Sequence, residues 1–576
     1  MNFSAGASSR SLLFLFLIPS IVGCPNGRGG GEPLPDVLIE AGEAYEGIDI
    51  AVFPGVVGVP NIDDDNEDGV PDWDADGEGD LEEENDLVEF FVRTPSGELQ
   101  DGEQIRLSVG GDAGEIRVYD GSTVILGELP GPNPLTFDYG NERSDDEPFQ
   151  VEFYEWPARA SVTATRYDSD GNEVGTSRVP LTAAPMILNH HLQQTDKTWV
   201  VAVNFGGGGN NNQMVSKYES VLGDGFDDVY GGNYQSDVWI QDEFQFGTLT
   251  APGHRVDLVV DSIRDRGLDD WAEDTVEAPD FVVGVWGAGE QPGSMDSFGN
   301  LEVSPPVTVD GVEYPFGRIY YGEGYSQGRG VVEELRDYLD AQTVQKPFDV
   351  DTGWLCVGHI DEYTSFVPDP TAPKGFRFVY ADTQAAWDVI DDLDDNFALG
   401  QYGRPPPYDG HGLATAGAMK NSAALRAHNE DIQEDVLDPV LDRFKEKLGL
   451  DEEDIVYMPS LFEEVTNCGN AALIPGMANL IVANVEEETH VFLADPFFRS
   501  GTSSDSGQDE DPMIAAVEEM MPAHIDFHFV DDWDVYHMGL GEVHCGTNMT
   551  RTPRDDWWAT AGHLLDDSDQ DEESDR

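Results

Sequence analysis

The chain has 576 residues, 39% of them hydrophobic and 10% aromatic, enough to bury a large core in two or more domains. Thirty Lys plus Arg stand against 114 Asp plus Glu, and the resulting formal charge of −84 repels phosphate backbones and excludes nucleic acid as a partner over most of the surface. The same charge attracts metal cations and basic peptides, although a solvated coat suited to a salty medium reads this composition equally well.

The N-terminus carries a weakly basic start ending at Arg10 and then the apolar run SLLFLFLIPSIVG, which suits a signal-peptide core and is too short to span a bilayer. Ile21-Val22-Gly23-Cys24 resembles the bacterial lipobox, in which the cysteine is lipidated. A signal over 1–23 and a lipid anchor on Cys24 are therefore expected, the plainer reading being an ordinary cleaved signal with an incidental cysteine. Gly and Pro in PNGRGGGEPLP predict a flexible tether over 24–44.

From 45 to 183 short β-type runs (LVEFFVRT, EIRVYDG, STVILGEL, FQVEFYEW, ASVTATRYD) alternate with turn residues, the pattern of a small all-β sandwich of immunoglobulin-like type. Between the first strands, NIDDDNEDGVPDWDADGEGDLEEEND places Asn61, Asp63 and Asp65 at alternate positions ahead of Asp68, Asp76, Asp80, Glu83 and Asp86. Oxygen donors so crowded suit calcium, and the alternative is a solvated acidic loop.

From Ala184 strands alternate with helical stretches, among them VVEELRDYLDAQ and DVLDPVLDRFKEKLGL, so one mixed α/β domain is expected over 184–565. The acidic residues 566–576 read as a disordered tail. Cys24, Cys356, Cys468 and Cys545 are too few for a disulfide framework, and Cys356 and Cys468 read as core thiols. FGGGGNNN (205–212) lacks the Lys and Ser or Thr of a phosphate-binding loop.

Three segments carry chemistry: VWIQDEFQFG (238–247), VGHIDEYTSFVP (357–368) and GEVHCGTN (541–548). They supply Asp242, His359, Asp361 and Cys545. Two carboxylates clamp a planar guanidinium through paired N–H bonds, a thiolate attacks its central carbon, and a histidine protonates the departing amine and then activates water. Each residue alone also has a structural reading, as a cap, a core histidine or a buried thiol.

In order, spacing and wording these segments resemble the protein-arginine deiminases, as do DSFGNLEVSPPV (296–307), PKGFRFVYAD (373–382), DGHG (409–412) and Trp557-Trp558. The resemblance implies a five-bladed α/β propeller of the guanidine-modifying (pentein) type behind the immunoglobulin-like sandwich, and calcium-dependent hydrolysis of peptidyl arginine through a covalent amidino-thioether. It implies Cys545 as nucleophile, His359 as general acid and base, and Asp242 and Asp361 as the clamp. Trp239 would pack on the arginine methylenes, while Arg266, with Arg264 beside it, would contact the substrate backbone.

Several calcium ions are implied as well. Gln241, Gln245, Glu302 and the carbonyls of Phe298 and Leu301 match one site, and Glu243, Asp261, Ser262 and Asp265 match a second. Asn61, Asp63, Asp65 and Asp280 match a remote cluster. Calcium is implied to order the cleft and position the nucleophile. Gln245 replaces a glutamate expected at the first site, and Gly539 stands where some relatives carry a second substrate-contacting arginine. The expected partners are arginines of basic proteins, with the oligomeric state left open. Two alternatives stand beside this reading: a deiminase of a small guanidine such as free arginine, and an inactive calcium-binding surface module.

Overall fold

The computed structural model describes residues 35–42, 55–62 and 87–566, apart from 112–115, 128–134, 155, 157, 207–208, 277, 326–327, 405–410 and 505–506. The expected signal segment, Cys24, Asp63, Asp65, and the tail after 566 lie outside the described residues. Among the described residues no helix is long and apolar enough to cross a membrane.

All five β-type runs of the first region form strands, Val88–Arg93, Ile116–Asp120, Thr123–Gly127, Phe149–Phe153 and Arg159–Tyr167. They belong to two five-stranded sheets that bury Phe90, Phe149, Val151, Leu107 and Val162 between them. The stretch expected as a tether over 24–44 includes a strand, and residues 24–34 and 43–44 lie outside the described residues. Leu38–Ala41 pairs antiparallel with Val88–Arg93, because Val37 and Ile39 are apolar and sink into the same core.

Beyond residue 184 one arrangement occurs five times. A central strand pairs antiparallel with one neighbour and parallel with the other. The central strands are Thr195–Ala202, His254–Asp261, Ile319–Glu323, Phe376–Asp382 and Glu488–Ala494. Their antiparallel neighbours are, in the same order, Thr547–Arg551, Phe244–Ala251, Leu301–Val303, Thr364–Pro368 and Ile481–Val485. Their parallel neighbours are Phe226–Tyr230, Phe281–Val285, Phe348–Asp351, Ile455–Pro459 and Asp526–Val530. A parallel pair needs a crossover, which the helices Asn212–Leu222, Trp271–Thr275, Glu333–Asp340 and Pro512–Met520 provide in four of the units. The fourth unit crosses over through Thr383–Asp392 and a long helical run, 423–448, that passes Pro439 on a widened turn and ends on Gly449 at φ 61°.

The last strand, Thr547–Arg551, returns to pair with the first central strand, Thr195–Ala202. A correction concerns Cys356 and Cys468, which form a disulfide with Cα atoms 4.8 Å apart. They are 112 residues apart and meet because Leu355 bridges Asn470, a contact between loops of different units that no local pattern announces.

Candidate active site

Five short segments precede the five antiparallel neighbour strands, and each brings a side chain or a bare backbone to one place. Helical turn Ile240–Glu243 carries Asp242, turn Phe298–Asn300 carries Gly299, turn Ile360–Glu362 carries Asp361 just after His359, residue 479 is an asparagine two positions before Ile481–Val485, and Cys545 lies two positions before Thr547–Arg551. Such turns end helical or bent backbone at the mouth of a strand, so the rigid strand fixes where each side chain points.

Cys545 Sγ lies 3.3 Å from Asp361 Oδ2, and Asn479 Nδ2 donates to the same sulfur at 3.2 Å. Asn479 Oδ1 accepts from the backbone N–H groups of His544 and Cys545 at 2.8 and 3.3 Å, so one asparagine holds both the backbone and the thiol. His359, 1% exposed, donates from Nε2 to the Ser294 carbonyl at 2.8 Å and faces Asp242 Oδ1 with Nδ1 at 3.4 Å. Gly299 sits among them. A Cβ there would meet His359 Nδ1 at 2.7 Å, Asp242 Oδ1 at 3.0 Å and Asp361 Oδ2 at 3.2 Å. A planar group at this point would face both carboxylates, the imidazole and the thiol.

The titrations follow from burial and charge. Burial pushes the Cys545 thiol well above its ordinary value, and Asp361 and Asp242 add to the effect. For His359 burial opposes protonation, but Asp242, Asp361 and Glu362 outweigh it and raise the pKa to about 9. The resting pair is therefore thiol and imidazolium.

Trp239 lies beside the sulfur: a Cβ on Gly541 would touch both its ring at 2.5 Å and Cys545 Sγ at 3.2 Å, and its ring also covers Gly539. Arg266 is engaged within the site. It grips Asp237 at 2.6 and 3.0 Å and reaches Asp242 Oδ2 at 3.1 Å. Arg264 donates to Ser297 Oγ at 2.6 Å.

Gln241, Asp242 and Glu243 are consecutive and face three different destinations. Gln241 Nε2 donates to Gln245 Oε1 at 3.0 Å and to the Phe298 carbonyl at 3.3 Å, and Gln241, Gln245 and Glu302 line one small cavity. Leu301 follows Phe298 and donates its N–H back to the Phe298 carbonyl. Two imidazoles join this group. His544 spans Asp361 at 2.9 Å and Glu302 at 3.2 Å, and His191 Nε2 lies 3.4 Å from Glu302. Glu302 Oε1 has no partner of hydrogen-bond geometry among the described residues although His544 lies 3.2 Å away, and burial raises the Glu302 carboxyl to about 7.

On the other side Glu243 is fully buried and Asp261 nearly so, with Ser262 N–H bonded to the Glu243 carbonyl. Burial raises Glu243 to about 7 and Asp261 to about 8, the second helped by the charge of the first. Among the described residues, Glu243 Oε2 and Asp261 Oδ1 have no hydrogen-bond partner. Asp265, exposed and left-handed at φ 44°, ends the same segment. Orphaned carboxylate oxygens fit a hard divalent cation. Asn61 is buried against Glu152 at 2.9 Å, and Asp280, at φ 56°, precedes Phe281–Val285.

Gly299, Asn479, His191 and the bridging role of His544 had no separate signal in the sequence. Gly299 lies inside the quoted DSFGNLEVSPPV, where its neighbours drew attention, and Asn479 in an apolar stretch that reads as core.

The family profile described as protein-arginine deiminase matches residues 173–559. Human protein-arginine deiminase type-4 is 35% identical over 332 residues, covering 56% of this chain and 48% of the relative. Human type-1 is 35% identical over 335 residues with the same coverage. Rat type-3 is 30% identical over 456 residues, 74% of this chain and 65% of the relative. The chain spans about half the length of the first two. Among solved structures, agmatine deiminase of C. jejuni aligns with a TM-score of 0.36 at 8% identity, over 64% of this chain and 98% of that one.

Proposed function

The chain belongs to the protein-arginine deiminase family, and from that premise we propose that it hydrolyses peptidyl arginine to peptidyl citrulline and ammonia through a covalent intermediate on Cys545. The observation that carries this is the convergence of Asp361, His359 and Asp242 around Gly299 with Cys545 against Asp361, four residues supplied by three of the units.

The chemistry follows from the resting charges. An arriving guanidinium offsets Asp242 and Asp361, the carboxylates that help keep the proton on Cys545, so the thiol ionises as the substrate binds, its proton passing to solvent and returning to the thiolate when the product leaves. The thiolate forms a bond to the guanidinium carbon. His359, held as imidazolium, gives its proton to the departing nitrogen; the C–N bond breaks and ammonia leaves. The now neutral His359 takes a proton from water as the oxygen adds to carbon. Collapse expels the Cys545 thiolate, and the proton released as the citrulline carbonyl forms balances the one that ammonia takes up. To enter, the substrate replaces Arg266 at Asp242 Oδ2, one guanidinium exchanged for another.

Calcium is part of this proposal. Glu243, Asp261, Ser262 and Asp265 would hold one ion, and Gln241, Gln245, Glu302 and the Phe298 and Leu301 carbonyls a second. A bound ion supplies fixed positive charge beside the Ile240–Glu243 turn. Asn61, Asp63, Asp65 and Asp280 are proposed for a remote site.

The five units with one shared strand pattern support a five-bladed propeller over 184–565, and the two packed sheets support an immunoglobulin-like sandwich over 45–183. The lipobox-like Cys24 supports membrane anchoring after export, and Cys24→Ser protein that still partitions with membranes would rule it out. The acidic surface favours basic protein substrates, with activity that falls as inert salt is added.

Citrulline and ammonia from a blocked arginine peptide are expected from wild type in calcium, and not in chelator or from Cys545→Ala. A second reading, a deiminase of a free small guanidine, is favoured by the engagement of Arg266 with Asp237 and Asp242, which turns it away from a peptide backbone. Faster turnover of free arginine than of the blocked peptide would select that reading. No product from either substrate would overturn both.

A further inference from the structure

The unit that contributes Asn479 carries a second cluster at its other end. Strands Glu488–Ala494 and Asp526–Val530 run parallel with His490 opposite Asp526 and Phe492 opposite His528. Side chains two residues apart share a face, so Glu488 and His490 on one strand and Asp526 and His528 on the next stand together. Ile481–Val485 runs antiparallel to Glu488–Ala494 with Ala483 opposite His490, which puts this group about 13 Å along the strand from Asn479.

The distances are those of a coordination shell. His490 Nδ1 and His528 Nε2 are 3.1 Å apart, His490 Nδ1 and Asp526 Oδ2 3.5 Å, and His528 Nε2 and Asp526 Oδ2 3.8 Å. A triangle with these edges has its circumcentre about 2.0 Å from every corner, the length of a zinc bond to imidazole or carboxylate. His490 turns its other nitrogen, Nε2, toward Glu488 Oε2 at 3.6 Å, the outer carboxylate that fixes a ligating histidine in the right tautomer. The ring of His528 lies against Phe492, with centroids 4.8 Å apart, which limits its rotation.

The other His-Glu-His group, His191, Glu302 and His544, differs in that its carboxylate and one imidazole are already tied into the active site through Asp361. We propose that His490, His528 and Asp526 bind a borderline transition-metal ion of the zinc class, with Glu488 positioning His490 and the remaining coordination position open to water. Two imidazoles select such a metal over calcium, which takes oxygen ligands.

The test uses the full chain in millimolar calcium, so that oxygen sites are filled and imidazole sites remain. Zinc is titrated calorimetrically, and cobalt is added separately to read the absorption of a tetrahedral N/O site. Wild type is expected to bind one zinc at this site. His528→Ala should abolish that binding, while Asp526→Asn, altered at an exposed carboxylate, and Glu488→Gln should each weaken it by about tenfold or more. Activity of the Asp526→Asn and Glu488→Gln proteins should match wild type. No zinc binding by wild type, or zinc and cobalt binding unchanged in all three variants, overturns the proposal. In the first case the pair is an imidazole–imidazole hydrogen bond, and in the second the metal sits elsewhere.

Discussion

On one side of the Ile240–Glu243 turn, Glu302 has His544 at 3.2 Å and His191 at 3.4 Å, whereas on the other side Glu243 has Arg266 at 4.0 Å and shares its surroundings with a second carboxylate, Asp261. Both sides are buried and both are implied calcium sites. The first has a single carboxylate, Glu302, which burial raises to about 7 although His544 lowers it, while burial keeps His191 well below its ordinary value. The second leaves two carboxylates raised to about 7 and 8 by burial, each with an oxygen lacking a hydrogen-bond partner. The stronger demand for a cation therefore falls on the second side, since a buried like-charge pair is costly until a cation separates it.

The largest expected effect tests that assignment. Asp261→Asn should raise the calcium concentration for half-maximal activity by more than about 100-fold, beyond the loss typical of an outer partner, while Gln241→Ala should raise it less than about tenfold. Equal effects would break the comparison. Next, Gly299→Ala should lower kcat/KM by about 100-fold, because its methyl group would crowd His359, Asp242 and Asp361 between the two sides. Calcium affinity, measured by titration, should stay unchanged; a parallel loss would mean that the centre and the cation sites are one unit.

The pH dependence comes third. Glu243 and Asp261 have folded pKa values raised above their ordinary ones, so the stability they contribute to the calcium-free protein is full below about pH 4 and is lost as pH rises through 7 to 8. Calcium bound there as proposed would displace those protons. Affinity should therefore increase about tenfold or more from pH 6 to pH 8 in wild type and much less in Glu243→Gln, read by calorimetry in two buffers of different ionisation heat. The smallest effect is expected from Gln245→Glu, which adds a carboxylate to a cavity where His544 already faces Glu302. A gain of about threefold in calcium affinity is expected from one added carboxylate. A gain larger than the Asp261→Asn loss would reverse the ranking of the two sides.

The proposed reacting residues stood out because deimination would need a thiol, an imidazole and paired carboxylates, and Cys545, His359, Asp242 and Asp361, which stand in long, specific segments, are brought together by the fold. The β-runs and the helices near 333–340 and 438–448 were legible from periodicity. The fivefold strand pattern was not, since its strands are three to eight residues long and separated by loops of unequal length, which leaves no sequence period. Gly299 acts by having no side chain and Asn479 by bonding backbone groups, and neither role has a composition signal. His191 reaches Glu302 across 111 positions and the disulfide closes 112, contacts that exist only once the units are placed.

The return of Thr547–Arg551 to Thr195–Ala202 also has a meaning in time. Synthesis runs from the N-terminus, so Asp242 leaves the ribosome about 15 to 60 s before Cys545 at ordinary elongation rates. Once Asp361 has also emerged, the proposed clamp and general acid still lack the proposed nucleophile, and the strand that follows Cys545 is the one that completes the sheet of the first unit. A chain cut before Cys545 would therefore lack both the proposed nucleophile and the strand that completes the first sheet.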